Sequence, residues 1–324
     1  LEENGGISIN TNKAIEMATG EYLMLSDHDD TLEPDALYEI VKAINDHQGP
    51  EIVYTDEDKL SMDGEFYFEP HFKSDYNLFR LRDNNYICHI FAVKKALVDQ
   101  VGGLRQEYDG SQDYDFILRC CEQAKQVIHI PRVLYHWRCY EGSTSENPES
   151  KRYAYEAGKR AVEDFLKARE YQADVVHTCH LGFFRVNYQP DLLSNRPDVA
   201  VVGGKLIDRH NRVVGGIYNE NREPLYLGLH KEYSGYMHRA SCQQEAYAVD
   251  VRCMICSGEA QTVWEELTGL PYAVQPHTGY FLYQDVLKKD ADYEELSFRF
   301  CEELRRRGKR IVWDPEMVQR VDGR

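Results

Sequence analysis

The spacing of hydrophobic positions alternates between helix-like and strand-like patterns from the start of the chain. Apolar residues on one helical face predict a helix over residues 10–19. The short apolar run 22–25 predicts a strand, and the polar segment 26–30 after it predicts an acidic loop. Pro34 stands where the first turn of a helix tolerates its missing N–H, so we expect a second helix there.

A second strand with an acidic end follows this helix. The apolar run 52–54 predicts the strand, and Asp56, Glu57 and Asp58 come directly after it. Strands on either side of one helix are parallel in an open α/β sheet, and such sheets bind ligands at the carboxyl edge. The pattern therefore predicts an α/β fold with two acidic loops at one sheet edge.

The remaining apolar runs of the first half predict a continued alternation of strands and helices. In order, they are a buried strand over 86–93, helices over 95–101 and 113–126, strands over 127–130 and 133–137 around Pro131, a polar loop over 140–151 and a helix ending near 170.

A weak internal repeat links the two halves of the chain. Residues 116–122 (Phe-Ile-Leu-Arg-Cys-Cys-Glu) align without gaps to residues 296–302 (Leu-Ser-Phe-Arg-Phe-Cys-Glu). Each copy follows a Gly-Leu pair and leads through a predicted strand to a proline. We interpret this as duplication of a half-domain, with chance similarity over seven residues as the alternative.

Charge and composition exclude several classes of protein. The net charge is −17, and residues 1–60 contain fifteen acidic and three basic residues. Proteins that follow a nucleic-acid backbone need the opposite charge, so we exclude nucleic acid as a partner. No apolar run of about 18 residues predicts a membrane span. The odd number of cysteines, nine, predicts reduced, buried thiols, and the lone Cys253–Cys256 pair does not favour a zinc site.

The first acidic loop is a candidate metal site. Asp27, Asp29 and Asp30 are close enough in sequence to repel one another, so a cation would stabilise them. Oxygen ligands on a short loop suit Mg²⁺ or Mn²⁺. A solvated loop without an ion is the alternative, because acidic residues are common in loops.

Two further segments carry candidate functional residues. Asp113 is one of three acids around a predicted helix start, with Asp109 and Asp115. One acid suffices to cap a helix, so Asp113 is also a candidate general base. His136 is a candidate metal ligand, with a half-buried strand histidine as the alternative, and Arg138 can bind phosphate.

Several spaced segments, read together, resemble a known family. They are Asn-Gly-Gly-Ile-Ser-Ile-Asn at 4–10, Ala-Thr-Gly-Glu-Tyr at 18–22 with the acidic loop 27–30, and the segments 54–59, 72–75, 85–89, 110–115 and 129–138. In this order they resemble family 2 glycosyltransferases with the GT-A fold, specifically the bacterial cell-surface polysaccharide enzymes that carry two such domains. The resemblance covers about residues 4–165.

This resemblance implies a Rossmann-like mixed sheet flanked by helices and a role for each candidate residue. Asp27 and Asp29 would bind Mn²⁺ or Mg²⁺, with His136 as a further ligand, and the ion would hold a nucleotide-sugar donor. Asp113 would deprotonate a hydroxyl of a glycan or lipid-linked acceptor in a single inverting displacement. The residues assigned to donor or acceptor binding are Asp30, Asp56, Glu57, Asp58, His89, Gln112, Trp137 and Arg138. Gln112 stands where the family more often has Glu.

The resemblance also predicts the domain organisation. We expect a GT-A-like domain over 1–170 that lacks the family's N-terminal nucleotide-binding strands, a linker region over 171–198, and a degenerate second half-domain over 199–324. Tyr293 stands in the second copy where Asp113 stands in the first. Since the chain begins with Leu1, we expect it to be a fragment. The family implies work in the cytoplasm, compatible with peripheral association at the inner membrane face.

Two other classes of function remain open at this point. A non-catalytic carbohydrate-binding or scaffolding protein would keep the glycosyltransferase-like halves without donor binding. A phosphate-releasing hydrolase would use the same acidic loops, but no nucleophile or second set of ligands is visible in the sequence.

Overall fold

A computed structural model describes residues 4–139, 152–273 and 292–321, and the predicted polar loop 140–151 lies outside these residues. The chain divides into two compact units, Leu1–Val186 and Asn187–Arg324. Each unit has its own sheet.

The first unit alternates helices and strands, as the hydrophobic pattern predicts. Its elements are α1 (Ile7–Met17), β1 (Tyr22–Leu25), β2 (Thr31–Leu32), α2 (Ala36–Asp46), β3 (Ile52–Leu60), β4 (Tyr67–His71), α3 (Leu78–Asp83), β5 (Phe91–Lys94), α4 (Lys95–Val101), α5 (Gln112–Gln123), β6 (Val127–Arg138) and α6 (Arg152–Lys167). β7 (Ala173–His177) and β8 (Phe184–Tyr188) pair in a separate two-stranded sheet.

The main sheet of the first unit is mixed, in the order β1-β5-β3-β6-β2, with β4 paired to β3. β1 and β3 are both antiparallel to β5, and β3 is parallel to β6. β1, β3 and β6 therefore run in the same direction, and their carboxyl ends lie at the same edge. The prediction of a mixed α/β sheet flanked by helices is confirmed.

Three predicted elements of this sheet differ from the structure. β3 continues through Asp56–Asp58 to Leu60, so these acids belong to a strand rather than a loop, because β6 and β4 supply pairing partners on both sides. Of the predicted strand 86–93, only residues 91–93 lie in a strand, as part of β5 (Phe91–Lys94). The two strands predicted around Pro131 are one strand, β6, whose register against β3 shifts at Pro131. A register shift accommodates a residue without an N–H donor.

The helix α2 packs on the sheet through only some of its apolar residues. Ile40 is buried with Ala36 against Val53 and Leu134. Leu37 and Val41 remain exposed, at 61% and 55%. The sequence pattern therefore identifies the helix correctly but overstates its buried face.

The second unit forms a five-stranded sheet of its own. Its elements are α7 (Leu192–Asn195), β9 (Val199–Ile207), β10 (Val213–Gly215), β11 (Ile217–Tyr218), β12 (Gln244–Glu245), β13 (Ala248–Val249), β14 (Met254–Cys256), α8 (Gly258–Thr268), α9 (Tyr293–Arg306) and β15 (Arg310–Arg320). The sheet order is β10-β9-β15-β12, with β14 also paired to β9, and β11 pairs with β13. Trp264, Trp313 and Phe300 are fully buried in its core.

The two sheets share a common pattern of pairing. β9 is parallel to β15 and antiparallel to β14, as β3 is parallel to β6 and antiparallel to β5. In each unit the antiparallel strand leads into a helix, and a second helix precedes the last parallel strand. The aligned segments 116–122 and 296–302 lie on the equivalent helices α5 and α9, so the topology supports duplication.

Several other expectations can be compared with the described residues. The segment 171–198, predicted as a linker region, contains β7, β8 and α7. All nine cysteines are free thiols, seven of them buried, with Cys88 half-buried and Cys179 exposed. Among the described helices, none is both long and apolar enough to cross a membrane.

Candidate functional site

A cavity of about 540 Å³ opens in the first unit, between the end of β1, the start of α5 and the loop before β5. The predicted site residues that line this cavity are Asp27, His89, Gln112, Asp113 and Trp137. Residues that are distant in sequence therefore meet at one place, as the strand directions predict.

The acidic turn after β1 is held by the end of β6. The backbone N–H of Asp27 donates to the Tyr135 hydroxyl at 3.2 Å, and that hydroxyl donates to the carboxylate of Asp30. Arg138 donates from its backbone N–H to Asp30 at 2.8 Å and from Nε to the carbonyl of Asp29 at 2.9 Å. Asp30 and Arg138 therefore fix the turn, while the Asp27 side chain remains 59% exposed.

Asp113 lies at the start of α5, at the cavity wall. The side-chain amide of Asn85 donates to Oδ2 of Asp113 at 2.9 Å. Burial raises the pKa of Asp113 above its ordinary value, and the nearby His89 opposes this effect. A carboxylate with a raised pKa is a stronger base, which suits proton abstraction.

The other residues around the start of α5 hold the structure together. Asp115 is buried and paired with Arg105 and Arg119. Asp109 accepts a hydrogen bond from the Ser8 hydroxyl. Of the three acids there, only Asp113 lines the cavity, while the Gln112 amide oxygen accepts from the backbone N–H of Gly110 at 2.8 Å.

Glu57 is a buried carboxylate that holds the loop before β5. Lys73 donates to Oε2 of Glu57 at 3.1 Å and to the backbone carbonyls of Ile87, at 2.6 Å, and His89. The same Oε2 accepts from the backbone N–H of His89 at 3.2 Å. Burial opposes ionisation, but Lys73 and the neighbouring histidines hold the pKa of Glu57 well below its ordinary value.

The ring of His89 is fixed between aromatic side chains and acids. It stacks on Tyr135, with centroids 4.8 Å apart and an interplanar angle of 8°, and lies 6.0 Å from the Trp137 ring. Burial favours the neutral imidazole, but Cys88 and Glu57 hold the pKa of His89 well above its ordinary value. His89 thus places a cationic ring at the cavity wall, 3.9 Å from Asp27.

Asp56, Asp58 and His136 are engaged in contacts within the sheet. Asp56 accepts from His129 at 2.8 Å and from the Lys73 backbone N–H at 2.7 Å. His136 lies 2.6 Å from Asp58 and 3.3 Å from Glu33. Burial raises the pKa of Asp58, and His136 opposes that shift.

The predicted metal ligands are only partly brought together. Within the described residues, Asp27, Asp29 and His136 do not gather closely enough to share one ion, whereas Glu57, Cys88 and His89 do. Asp27 and Asp29 are exposed carboxylates beside the cavity and fit Mg²⁺ or Mn²⁺ by donor type. His136 lies among other carboxylates, so its role as a ligand stays a prediction.

Three residues of the site were not assigned a role from the sequence. Asn85, Cys88 and Lys73 lie in segments that carry the family resemblance, and each contacts an assigned residue. The sequence signal that could have identified them is their position in these segments. Their contacts depend on the conformation of the loop before β5, for which the hydrophobic pattern predicts a strand.

Comparison with known proteins is consistent with this geometry. The family model described as glycosyl transferase family 2 matches residues 1–102. An uncharacterized protein, y4gI of Sinorhizobium fredii, is 47% identical over 167 residues, which cover 51% of this chain and 18% of that protein. The O-antigen biosynthesis protein RfbC of Myxococcus xanthus is 31% identical over 192 residues, covering 59% of this chain and 15% of that protein.

Similarity to solved structures is more distant. TarS of S. aureus, residues 1–349 in complex with UDP-GlcNAc, gives a TM-score of 0.40 at 20% identity, covering 51% of this chain and 48% of that one. The chain spans less than a fifth of the length of the two relatives it matches and about half of this TarS structure.

Proposed function

We propose that this chain, whose residues 1–102 match the family model described as glycosyl transferase family 2, is the catalytic part of a glycosyltransferase in polysaccharide synthesis. It would move a sugar from a nucleotide-diphosphate donor to a glycan or lipid-linked acceptor, with inversion at the transferred carbon. The observation that carries the proposal is the cavity that joins Asp27, His89 and Asp113.

Asp113 is the proposed base. Its carboxylate lines the cavity, and burial raises its pKa above the ordinary value, so it can accept a proton from an acceptor hydroxyl. The side-chain amide of Asn85 holds Oδ2 of this carboxylate in place. Deprotonation makes the hydroxyl oxygen a stronger nucleophile toward the sugar carbon.

Other residues in and beside the cavity suit the anionic donor. Asp27 and Asp29 would hold Mn²⁺ or Mg²⁺, which neutralises charge on the leaving nucleoside diphosphate. Arg138 fixes the turn that presents both aspartates. His89, with its raised pKa, adds positive charge at the same wall, and Trp137 offers a flat apolar surface for a sugar ring.

The test is transfer of sugar by the purified chain. Uridine, guanosine and thymidine diphosphate sugars are offered with Mn²⁺ and an oligosaccharide acceptor, and release of nucleoside diphosphate is measured. Asp113→Asn should lower kcat by roughly 10²–10⁴-fold and leave donor binding close to normal. Asp99→Asn is the matched control, because Asp99 pairs with Lys95 on the exposed side of α4.

The outcome also separates the competing classes of function. Calorimetric binding of a glycan without binding of any nucleotide would favour the non-catalytic carbohydrate-binding protein. Release of phosphate or sugar without acceptor, unaffected by Asp113→Asn, would favour a hydrolase. Equal turnover in the wild type and Asp113→Asn contradicts the assigned base.

A further inference from the structure

A thiol and an imidazole face each other at the cavity wall. The Sγ of Cys88 lies 3.7 Å from Nε2 of His89, and Oδ2 of Asp27 lies 3.9 Å from the same nitrogen. The side chains of adjacent residues in an extended chain point to opposite sides of the chain. The left-handed backbone of Cys88, at φ 39°, departs from that geometry and lets both side chains approach.

The spacing fits a tetrahedral metal ion. With Zn–S near 2.3 Å and Zn–N near 2.0 Å, tetrahedral sulfur and nitrogen ligands lie about 3.5 Å apart. The observed 3.7 Å between Cys88 and His89 needs only a small adjustment. Within the described residues Asp27 does not join Cys88 and His89 in a cluster of ligand atoms, so its carboxylate, whose side chain is 59% exposed, would have to turn toward them.

The surroundings of His89 supply the second requirement of such a site. Glu57 Oε2 lies 3.3 Å from Nδ1 of His89, on the side of the ring opposite Nε2, as a charge contact without the alignment of a hydrogen bond. A carboxylate near the far nitrogen of a metal-binding histidine increases its basicity. Stacking on Tyr135 holds the ring plane, so Nε2 is directed at Cys88 and Asp27.

We propose that Cys88, His89 and Asp27 form a site for Zn²⁺ or a similar thiophilic ion, distinct in ligand chemistry from the Mg²⁺ or Mn²⁺ site of the acidic turn. A thiolate and an imidazole select soft and borderline ions, whereas Mg²⁺ prefers oxygen alone. Binding releases two protons to solvent, one from the Cys88 thiol, which becomes a thiolate, and one from Nε2 of the His89 imidazolium, which must be neutral to bind the ion. Because Asp27 would serve both ions, Zn²⁺ displaces the activating ion and inhibits transfer.

The binding test is independent of turnover. The full chain, reduced and free of metal, is titrated with Co²⁺, and the sulfur-to-cobalt charge-transfer band is recorded in the ultraviolet. Zn²⁺ is then added to displace cobalt. We expect one equivalent of sulfur-bound cobalt, with affinity reduced roughly tenfold or more by Glu57→Gln.

Two cysteine variants assign the sulfur. Cys88→Ser should abolish the charge-transfer band, and Cys179→Ser should retain it, because Cys179 is an exposed thiol that does not line the cavity. Circular dichroism establishes that each variant is folded. Absence of the band in the wild type, or its persistence in folded Cys88→Ser, overturns the proposal.

The inhibitory consequence rests on the proposed function, whereas the binding does not. If the chain transfers sugar, Zn²⁺ should inhibit the Mn²⁺-supported reaction of the wild type and lose roughly tenfold in potency against Cys88→Ser. A sulfur-bound cobalt spectrum in a chain without transferase activity would preserve the site and reject the proposed function. Equal inhibition of both proteins would show that the site containing Cys88 does not cause the inhibition.

Discussion

The side-chain amide of Asn85 donates a hydrogen bond of 2.9 Å to Oδ2 of Asp113. A donor to a carboxylate favours its charged form and lowers its pKa. Burial raises the pKa of Asp113, so Asn85 limits that rise. We expect Asn85→Ala to raise the pKa further and to move the acidic limb of the kcat/KM profile to higher pH.

The control for this variant is the preceding residue. Asn84 donates a similar bond of 3.0 Å to the carbonyl of Gly182, away from the cavity. Asn84→Ala should leave the acidic limb where it is in the wild type. An unshifted limb in Asn85→Ala would show that Asp113 is not the group that titrates in the free enzyme.

A second prediction concerns the buried ion pair of Lys73 and Glu57. The Lys73 side chain is fully buried, and Lys73→Met would leave the buried Glu57 carboxylate with only the neighbouring histidines as positive partners. Removing one partner of a buried pair costs about 3–5 kcal/mol of unfolding free energy. Urea denaturation measures the loss.

An exposed pair provides the comparison for Lys73. Lys59 lies 2.6 Å from Glu69, whose side chain is 67% exposed. Lys59→Met should cost about 1 kcal/mol or less, because water screens such pairs. Similar losses in the two variants would mean that the Glu57 carboxylate is solvated once Lys73 is removed.

Acid sensitivity follows from the same carboxylate. The pKa of folded Glu57 lies well below its ordinary 4.5, so the stability that this shift supplies is present above pH 4.5 and is lost as pH falls through the folded pKa. Glu57→Gln should therefore flatten the acid limb of a plot of unfolding free energy against pH. An unchanged acid limb in the folded variant would assign acid unfolding to other groups.

Much of the first unit follows from local patterns. Tyr22–Leu25 and Lys95–Val101 are found at their predicted bounds, because a short apolar run and a helix closed by glycine are local signals. Asp56–Asp58 were misplaced for the opposite reason. Their strand exists because distant segments, β4 and β6, pair with it, and no local pattern of residues contains that information.

The candidate site, like the fold, can be predicted from the sequence where local patterns determine it. Asp27 follows a strand, and Asp113 lies at the start of a helix. Both positions can be predicted from the local sequence, and both residues line the cavity. The sequence predicts His136 near the end of a strand, where it is a candidate metal ligand together with Asp27. The structure gives it Asp58 and Glu33 instead, contacts that depend on strand register. Register and loop conformation separate the candidates that meet from those that do not.

In the second unit, a buried lysine should make stability depend on alkaline pH. Burial lowers the pKa of Lys205 to about 8, with Asp314 and Glu316 opposing the shift. Its ordinary pKa is 10.5, so between these values the unfolded chain holds a proton that the folded chain lacks. Stability therefore rises with pH there, by up to about 1.4 kcal/mol per pH unit.

Lys205→Met tests this dependence. The variant should lose the alkaline rise in unfolding free energy, measured by urea denaturation between about pH 8 and about pH 10. Lys309→Met is the control, because Lys309 pairs with Glu259 and leaves Lys205 in place. A rise retained in Lys205→Met would assign it to another group.

Gly216 follows β10 at a point where a side chain has no room. Its φ is 119°, and a Cβ there would lie 2.2 Å from the carbonyl oxygen of Gly204, a backbone atom of β9. That contact cannot be relieved by rotating a side chain, so β9 or the segment around Gly216 would have to move. We expect Gly216→Ala to reduce the unfolding free energy by about 3 kcal/mol or more, as overpacking adds to backbone strain.

Gly228 separates these two effects, because it has a positive φ of 76° and, among the residues that the structure describes, no atom lies within 4 Å of the position of a Cβ. Gly228→Ala therefore carries the backbone strain alone, about 1–2 kcal/mol. Urea denaturation of both variants measures the difference, which is the cost of the clash with Gly204. Equal losses of unfolding free energy in the two variants would show that the backbone near Gly216 can move to relieve the clash at no energetic cost. The close approach of Gly216 to β9 would then not limit which residues this turn accepts.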